Sequence, residues 1–341
     1  MIRTPSIRTL LAALAAAFSL GAQAAGTVGN TLPADFPVIV DTSLGKPVIG
    51  FGAAGPVKRT PVIFLHGNND TPFATACNPR QGAIQSLAQY LADNGYASSE
   101  LWGLGYQGDQ CDLAGDNTLR SGIAHTNAAN VPDLRRFVFA VLAYTGARQV
   151  DIVGHSLGVT LAREWMRQDE AGRLVRRFVA IDGPNHGIIN CSPNPLNFYQ
   201  LPAGGGFTPA SEVCVELGSP NTRFLKLLNG PGSSGEAAGP TQVLVIRNAD
   251  TSFVYFDLQD GILPPVPAED SFGKPTDFSK SATLRGAKRL DLTGQGAYDA
   301  AYGSAHLGIL SSPQTRQATL EFLGARDRPS HHDRDKGRDR D

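Results

Sequence analysis

The chain is short of several things, and each shortage removes a class of function. Acidic and basic residues nearly cancel, 30 Lys+Arg against 31 Asp+Glu in 341 residues, for a formal net charge of -1. No Lys/Arg cluster interrupts that balance in the body of the chain, so the basic patch that displaces counterions from nucleic acid is missing. Beyond the N-terminal segment no apolar run approaches the ~20 residues a membrane-spanning helix needs, and no stable membrane insertion is expected. There are only four cysteines, with no Cys-x-x-Cys and no Cys/His spacing of a metal site. Neither a metal nor an organic cofactor is implied. Aromatics make up 8% of the residues and Trp only two of them. What remains is ample for a core, because 41% of the chain is hydrophobic.

The two ends read as separate from the fold. Arg3 and Arg8 precede an apolar run from Leu10 to Leu20 that closes on Ala22-Gln23-Ala24. A basic stretch, a short apolar stretch and a small-x-small site describe a secretory signal peptide over residues 1–24. An exported, soluble mature protein is therefore expected, extracellular or periplasmic. In an oxidising compartment Cys77, Cys111, Cys191 and Cys214 become disulfide candidates. Three pairings are possible; local loop closure favours Cys77 with Cys111 and Cys191 with Cys214. The last residues, 326–341, mix charges with no core-forming pattern and read as a disordered tail, His331 and His332 included.

Between these ends, apolar strands alternate with amphipathic helices. Strands are expected at Thr60–His66, Leu101–Tyr106, Gln149–Val153, Arg177–Ile181, Thr241–Ile246 and Lys288–Leu292. Helices are expected at Gln81–Asn94, Val131–Tyr144, Leu161–Gln168 and Thr315–Phe322. This rhythm predicts an α/β fold over residues 25–325, with a mainly parallel central sheet and helices on both faces. Residues 184–240 break the rhythm with Gly, Pro, Ser and Asn. A loop of about sixty residues inside a compact domain is usually functional. Following a strand's carboxyl end, it reads as a pocket wall or partial lid over the active site.

The chemistry is concentrated in Gly154-His155-Ser156-Leu157-Gly158, directly after the run Val150-Asp151-Ile152-Val153 and before a helical pattern. G-x-S-x-G between a strand and a helix is a nucleophile elbow, with Gly154 and Gly158 tolerating the crowding that lifts Ser156 clear of the sheet. Such a serine needs a base, and the base an orienting acid, in the order Ser, Asp/Glu, His. His66, His125 and His155 do not follow Ser156, His186 follows too soon, and His331 and His332 lie in the tail. His306 is left as the base. Asp250, just after the Thr241–Ile246 strand, is the expected acid, with Asp257 and Asp260 farther along. The backbone N–H groups of Leu157 and Asn68 are the expected oxyanion donors.

The segment from Ala143-Tyr144-Thr145-Gly146 through Gln149–Gly158 resembles the small secreted bacterial lipases (class 2 type) of the α/β-hydrolase superfamily, which read TGA-x-x-VDIVAHSMG there. The Pro61–Gly67 strand, Ala249-Asp250 and His306-Leu307-Gly308-Ile309-Leu310 carry the same resemblance. It implies an α/β-hydrolase fold and maps nucleophile, acid and base onto Ser156, Asp250 and His306. A second resemblance is to lipase-like extracellular polyhydroxyalkanoate depolymerases. His66-Gly67-Asn68-Asn69-Asp70 is similar to their HGNGD, and Gly158-Val159 to the end of their HSMGV. Together these cover residues 60–182 and 241–323 but not 184–240. The expectation is a secreted serine carboxylic-ester hydrolase, a lipase or esterase acting on a lipid, small ester or polyester through an acyl-enzyme. A polyester depolymerase is the alternative, to be marked by an exposed apolar surface for which Phe198, Tyr199, Phe253, Tyr255 and Phe256 are candidates. A serine peptidase, and an inactive hydrolase-like binding module, are the remaining alternatives.

Overall fold

The computed structural model describes residues 26–79, 82–109, 111, 127–201, 206–230, 236, 239–249, 268–293 and 305–325. Among the described residues the strands form one seven-stranded sheet: β1 (Ile49–Phe51), β2 (Val62–Leu65), β3 (Leu101–Gly105), β4 (Val150–His155), β5 (Val175–Ile181), β6 (Gln242–Asn248) and β7 (Lys288–Leu292). Their order across the sheet is β1-β3-β2-β4-β5-β6-β7, and only the β1–β3 pair is antiparallel. The helices are α1 (Ala83–Asp93), α2 (Asn127–Thr145), α3 (Leu157–Gln168), α4 (Glu212–Leu217), α5 (Arg223–Leu228), α6 (Ala305–Gly308) and α7 (Pro313–Gly324).

Continuous apolar strands follow from burial on both faces. In β2, Ile63 and Leu65 pack with α2 and α3 through Leu134, Phe137, Leu161 and Trp165. Val62 and Phe64 point the other way, toward α1 and α7, where Ile84, Leu87, Leu91 and Phe322 close the second core. Period-two alternation along β2 thus divides one strand between two cores.

Three features of the fold differ from the sequence reading. β1 is too short for a pattern to reveal it and holds on by pairing Ile49, Gly50 and Phe51 with β3. Helix α2 is already formed at Asn127, the first residue described there, ahead of the expected Val131, and contains Pro132. Its first turn is held by Glu216 of α4, whose carboxylate accepts from the backbone N–H groups of Asn127 and Ala128. Residues 184–240 are not all loop, since α4 and α5 lie within them. Arg163 of α3 is fully enclosed and donates to the side-chain carbonyls of Asn185 and Asn229, tying this segment to the helix after the elbow. Its partners among the described residues are amide and backbone carbonyl oxygens, and burial lowers its pKa to about 10.

Both favoured disulfides are formed, Cys77–Cys111 and Cys191–Cys214, with Cα–Cα separations of 4.9 and 5.5 Å. The second bridges the segment to itself between Ile189–Cys191 and α4. No helix among the described residues is long and apolar enough to cross a membrane. The signal-peptide and tail readings, residues 1–24 and 326–341, lie outside the described residues.

Replacing Cys191 and Cys214 together by Ser removes a loop-closing constraint and should lower the unfolding free energy by roughly 2–4 kcal/mol in denaturant titration. Thiol titration of the unfolded, unreduced protein should find none of the four cysteines free; four reactive thiols would refute both bridges.

Candidate active site

The carboxyl ends of β2, β4 and β5 meet at one place. Ser156 follows β4 and takes φ 54°, ψ -124°, a conformation L-residues adopt only under constraint, at a cost of about 1–3 kcal/mol. Its N–H donates to the Ile181 carbonyl at the end of β5 (3.0 Å), and its carbonyl accepts from Val159 as α3 begins. The glycines around it are required by space. A Cβ on Gly158 would stand 2.5 Å from the Leu65 carbonyl oxygen and 2.7 Å from that of His66. One on Gly154 would stand 2.9 Å from the Gly158 carbonyl oxygen, and one on Gly67 the same distance from Ser156 Cβ. The elbow and the loop after β2 are therefore pressed together with no room for a methyl group.

That loop is fixed from below. His66 stacks on Tyr106 with ring centroids 4.1 Å apart, and the Tyr106 hydroxyl donates to the His66 carbonyl. Asn68 follows Gly67 in this loop, and Leu157 opens α3; both expected oxyanion donors thus lie on the two segments that flank Ser156. Asn69 takes φ 58°. Asp70 is buried, and its Oδ1 accepts from the Thr71 N–H (2.7 Å) and the Gly82 N–H (2.8 Å), pinning the loop to the start of α1. Burial raises the Asp70 pKa to about 6, against the lowering effect of these two bonds and of a charge on His306.

His306 lies on α6, and its Nδ1 is 2.6 Å from Oδ2 of Asp182. Asp182 directly follows β5, the neighbour of β4, and adopts φ 47°. Its backbone N–H donates to the Ile246 carbonyl of β6, and its Oδ1 accepts from the Asn248 N–H at 3.3 Å. The carboxylate on the imidazole thus comes from the end of β5, one strand earlier than the sequence reading placed it. Asp250 lies outside the described residues, as do Asp257 and Asp260. Sequence reasoning passed over Asp182 although a signal was available, an Asp immediately after the apolar strand Arg177–Ile181.

The other histidines have different surroundings. His155 ends β4, with Nε2 2.7 Å from the His306 carbonyl oxygen and its ring centroid 4.6 Å from that of His306. His186 faces Glu236 at 3.2 Å and the Ser281 carbonyl. Its hydrogen bond and the backbone N–H of Arg285 lower the Glu236 pKa to about 2, against the opposing effect of burial. His125 lies outside the described residues.

The raised pKa of Asp70 carries a sign. Its folded-state value of about 6 exceeds the ordinary 3.8, so the folded protein binds the extra proton, and stability is lost as pH rises through that window. The stability of the wild type relative to Asp70→Asn should fall by about 3 kcal/mol between pH 3.5 and pH 7.5. Urea titrations of both proteins across that range check it, and a gap that stays constant or grows would contradict it.

The family model described as Lipase (class 2) matches residues 59–230, just over half of the chain. Among solved structures, the chain is similar to Bacillus licheniformis lipase BlEst2 in its mature form, at 18% identity and a TM-score of 0.50, covering 80% of this chain and 95% of that one. The propeptide form gives 16% identity and the same TM-score over 82% of this chain, which spans only 53% of that longer molecule. At such identities these structures establish a common fold, the α/β-hydrolase fold. The family match carries the rest: this chain belongs to the class 2 lipase family of α/β-hydrolases.

Proposed function

We propose that this protein is an exported serine carboxylic-ester hydrolase in which Ser156, His306 and Asp182 form the catalytic triad. The observation that carries the reading is the 2.6 Å contact between His306 Nδ1 and Asp182, set beside a serine at a constrained strand-to-helix turn. Membership of the lipase family supports an ester as substrate. The two disulfides fit export.

In this mechanism Ser156 Oγ attacks the ester carbonyl carbon while His306 Nε2 takes its proton. The oxyanion of the tetrahedral intermediate is held by the backbone N–H groups of Asn68 and Leu157. The intermediate collapses, the alcohol leaves with the proton from His306, and an acyl-enzyme on Ser156 remains. Water, deprotonated by His306, then releases the acid. Asp182 keeps the imidazole proton on Nδ1 and stabilises the imidazolium in both half-reactions. The constrained φ of Asp182 and its bond to Asn248 hold the carboxylate to this task.

One observation favours the polyester reading within this class. Residues 187–211 contain no Asp, Glu, Lys, Arg or His. Leu196, Phe198 and Leu201 in that stretch are exposed, with Leu196 85% accessible. Tyr199 packs against the core instead, and Phe253, Tyr255 and Phe256 lie outside the described residues. An uncharged apolar stretch suits an uncharged insoluble ester.

Ser156→Ala should remove at least about 10³-fold of kcat on tributyrin without lowering the thermal midpoint. Asp182→Asn, which offers an amide to Nδ1, should cost roughly 10³–10⁴-fold in kcat, while Asp250→Asn leaves the rate nearly unchanged. The reverse pattern would transfer the acid's role to Asp250. Rates on amorphous polyhydroxybutyrate and emulsified tributyrin, each corrected with Ser156→Ala, separate the two substrate readings: polymer loss at a comparable rate supports a depolymerase, and tributyrin cleavage alone a lipase.

A further inference from the structure

A ring held at one nitrogen can still be carried out of place by its backbone, and His306 sits on α6, a single turn over the described residues. Asp182 restrains the ring of His306; its backbone is held by another residue. His155 Nε2 lies 2.7 Å from the His306 carbonyl oxygen. A carbonyl can only accept, so the proton is on Nε2 and His155 is the donor. In that tautomer Nδ1 is a bare acceptor, and it is buried with no donor among the described residues. An apolar ring would fill the same space without a bare buried nitrogen, and would lose only the donor to the His306 carbonyl. The imidazole is retained at a cost, and its one hydrogen bond goes to the base.

We propose that His155 is a positioning residue: as a neutral imidazole on the same strand end as Ser156, it fixes the backbone of His306 and so the reach from base to nucleophile. The proposal rests on the assignment of Ser156 and His306 made above. His155 is the last residue of β4, fully buried and adjacent in sequence to Ser156. One rigid element therefore presents the nucleophile and, one residue earlier, the anchor of its base. The surroundings keep the anchor uncharged. Burial, with the charges of His306 on α6 and His66 at the end of β2, presses the His155 pKa well below its ordinary value. Asp182, after β5, is hydrogen-bonded to His306, and the Asp70 carboxylate in the loop after β2 bonds Thr71 and Gly82. A neutral His155 also avoids a second positive charge beside the imidazolium that forms during turnover.

The test uses His155→Phe, which keeps a ring but no donor, and His155→Gln, whose side-chain N–H can reach the same carbonyl. Both are also combined with His306→Ala. His155→Phe should lower kcat by about 10–100-fold, the scale of a misplacement of about 1 Å, with KM within about twofold. The downfield N–H proton resonance of the His306–Asp182 bond should shift or broaden. His155→Gln should recover most of kcat and the resonance. On a His306→Ala background neither substitution should cause further loss, because an anchor acting through the base has nothing left to hold. Wild-type kcat in folded His155→Phe, loss confined to KM, or additive loss on the His306→Ala background would overturn the proposal. Should His155→Phe fail to fold, a folded His155→Gln more than about tenfold slower, with the resonance displaced, overturns it instead. Full activity of His306→Ala alone would instead remove the underlying assignment, a separately readable outcome.

Discussion

The closeness with which the end of β2 approaches the turn after β4 constrains everything else at the site. Three glycines, Gly67, Gly154 and Gly158, leave contacts in which an added methyl group would meet backbone or Ser156 itself at 2.5–2.9 Å. At that close approach Ser156 takes φ 54°, and Leu157 opens α3 next to the contact between Ser156 and Gly67. Side-chain burial then fixes each partner in turn. Asp70 pins the loop to α1, and His66 stacks beneath it on Tyr106. The geometry is bought with backbone strain and a buried carboxylate, and the two large apolar cores on either face of the sheet offset those costs.

Polar groups from distant parts of the chain converge on this compressed point. The serine comes from the end of β4, the carboxylate from the end of β5, and the imidazole from a short helix more than a hundred residues later. Each is tied to a neighbour in the sheet: Ser156 to Ile181, Asp182 to Ile246 and Asn248, His306 to both Asp182 and His155. These groups are thus positioned largely by strand ends, which would give the proposed acyl-transfer site its preorganisation. The segment 184–240 begins two residues after Asp182; its Asn185 and Asn229 bond Arg163 of α3, its Glu216 bonds Asn127 of α2, and the Cys191–Cys214 bridge closes it on itself.

How much of this the sequence disclosed depends on how local each signal is. The elbow is five consecutive residues with a strand before and a helix after, and the central strands are continuous apolar runs, so both are legible without a structure. The disulfide pairing followed from the export reading together with local loop closure. The carboxylate was not legible in this way. An Asp follows two adjacent strands, Asp182 after Arg177–Ile181 and Asp250 after Thr241–Ile246. Which one faces the imidazole depends on the path of a chain separated from both by more than fifty residues. Helices α4 and α5, six residues each, carry too few turns for a period to emerge; tertiary bonds from Asn127 and Arg163 hold their region. β1 is legible only through its partner, β3.

The proposed triad makes Ser156 a nucleophile served by His306 and Asp182. The most direct measurement is a crystal structure of the protein after reaction with a fluorophosphonate ester, with the labelled peptide identified by mass spectrometry. One adduct is expected, on Ser156 Oγ, with the phosphonyl oxygen within hydrogen-bond distance of the Asn68 and Leu157 N–H groups and Asp182 still on His306 Nδ1. No adduct, an adduct on another residue, or a carboxylate other than Asp182 on the imidazole would contradict it.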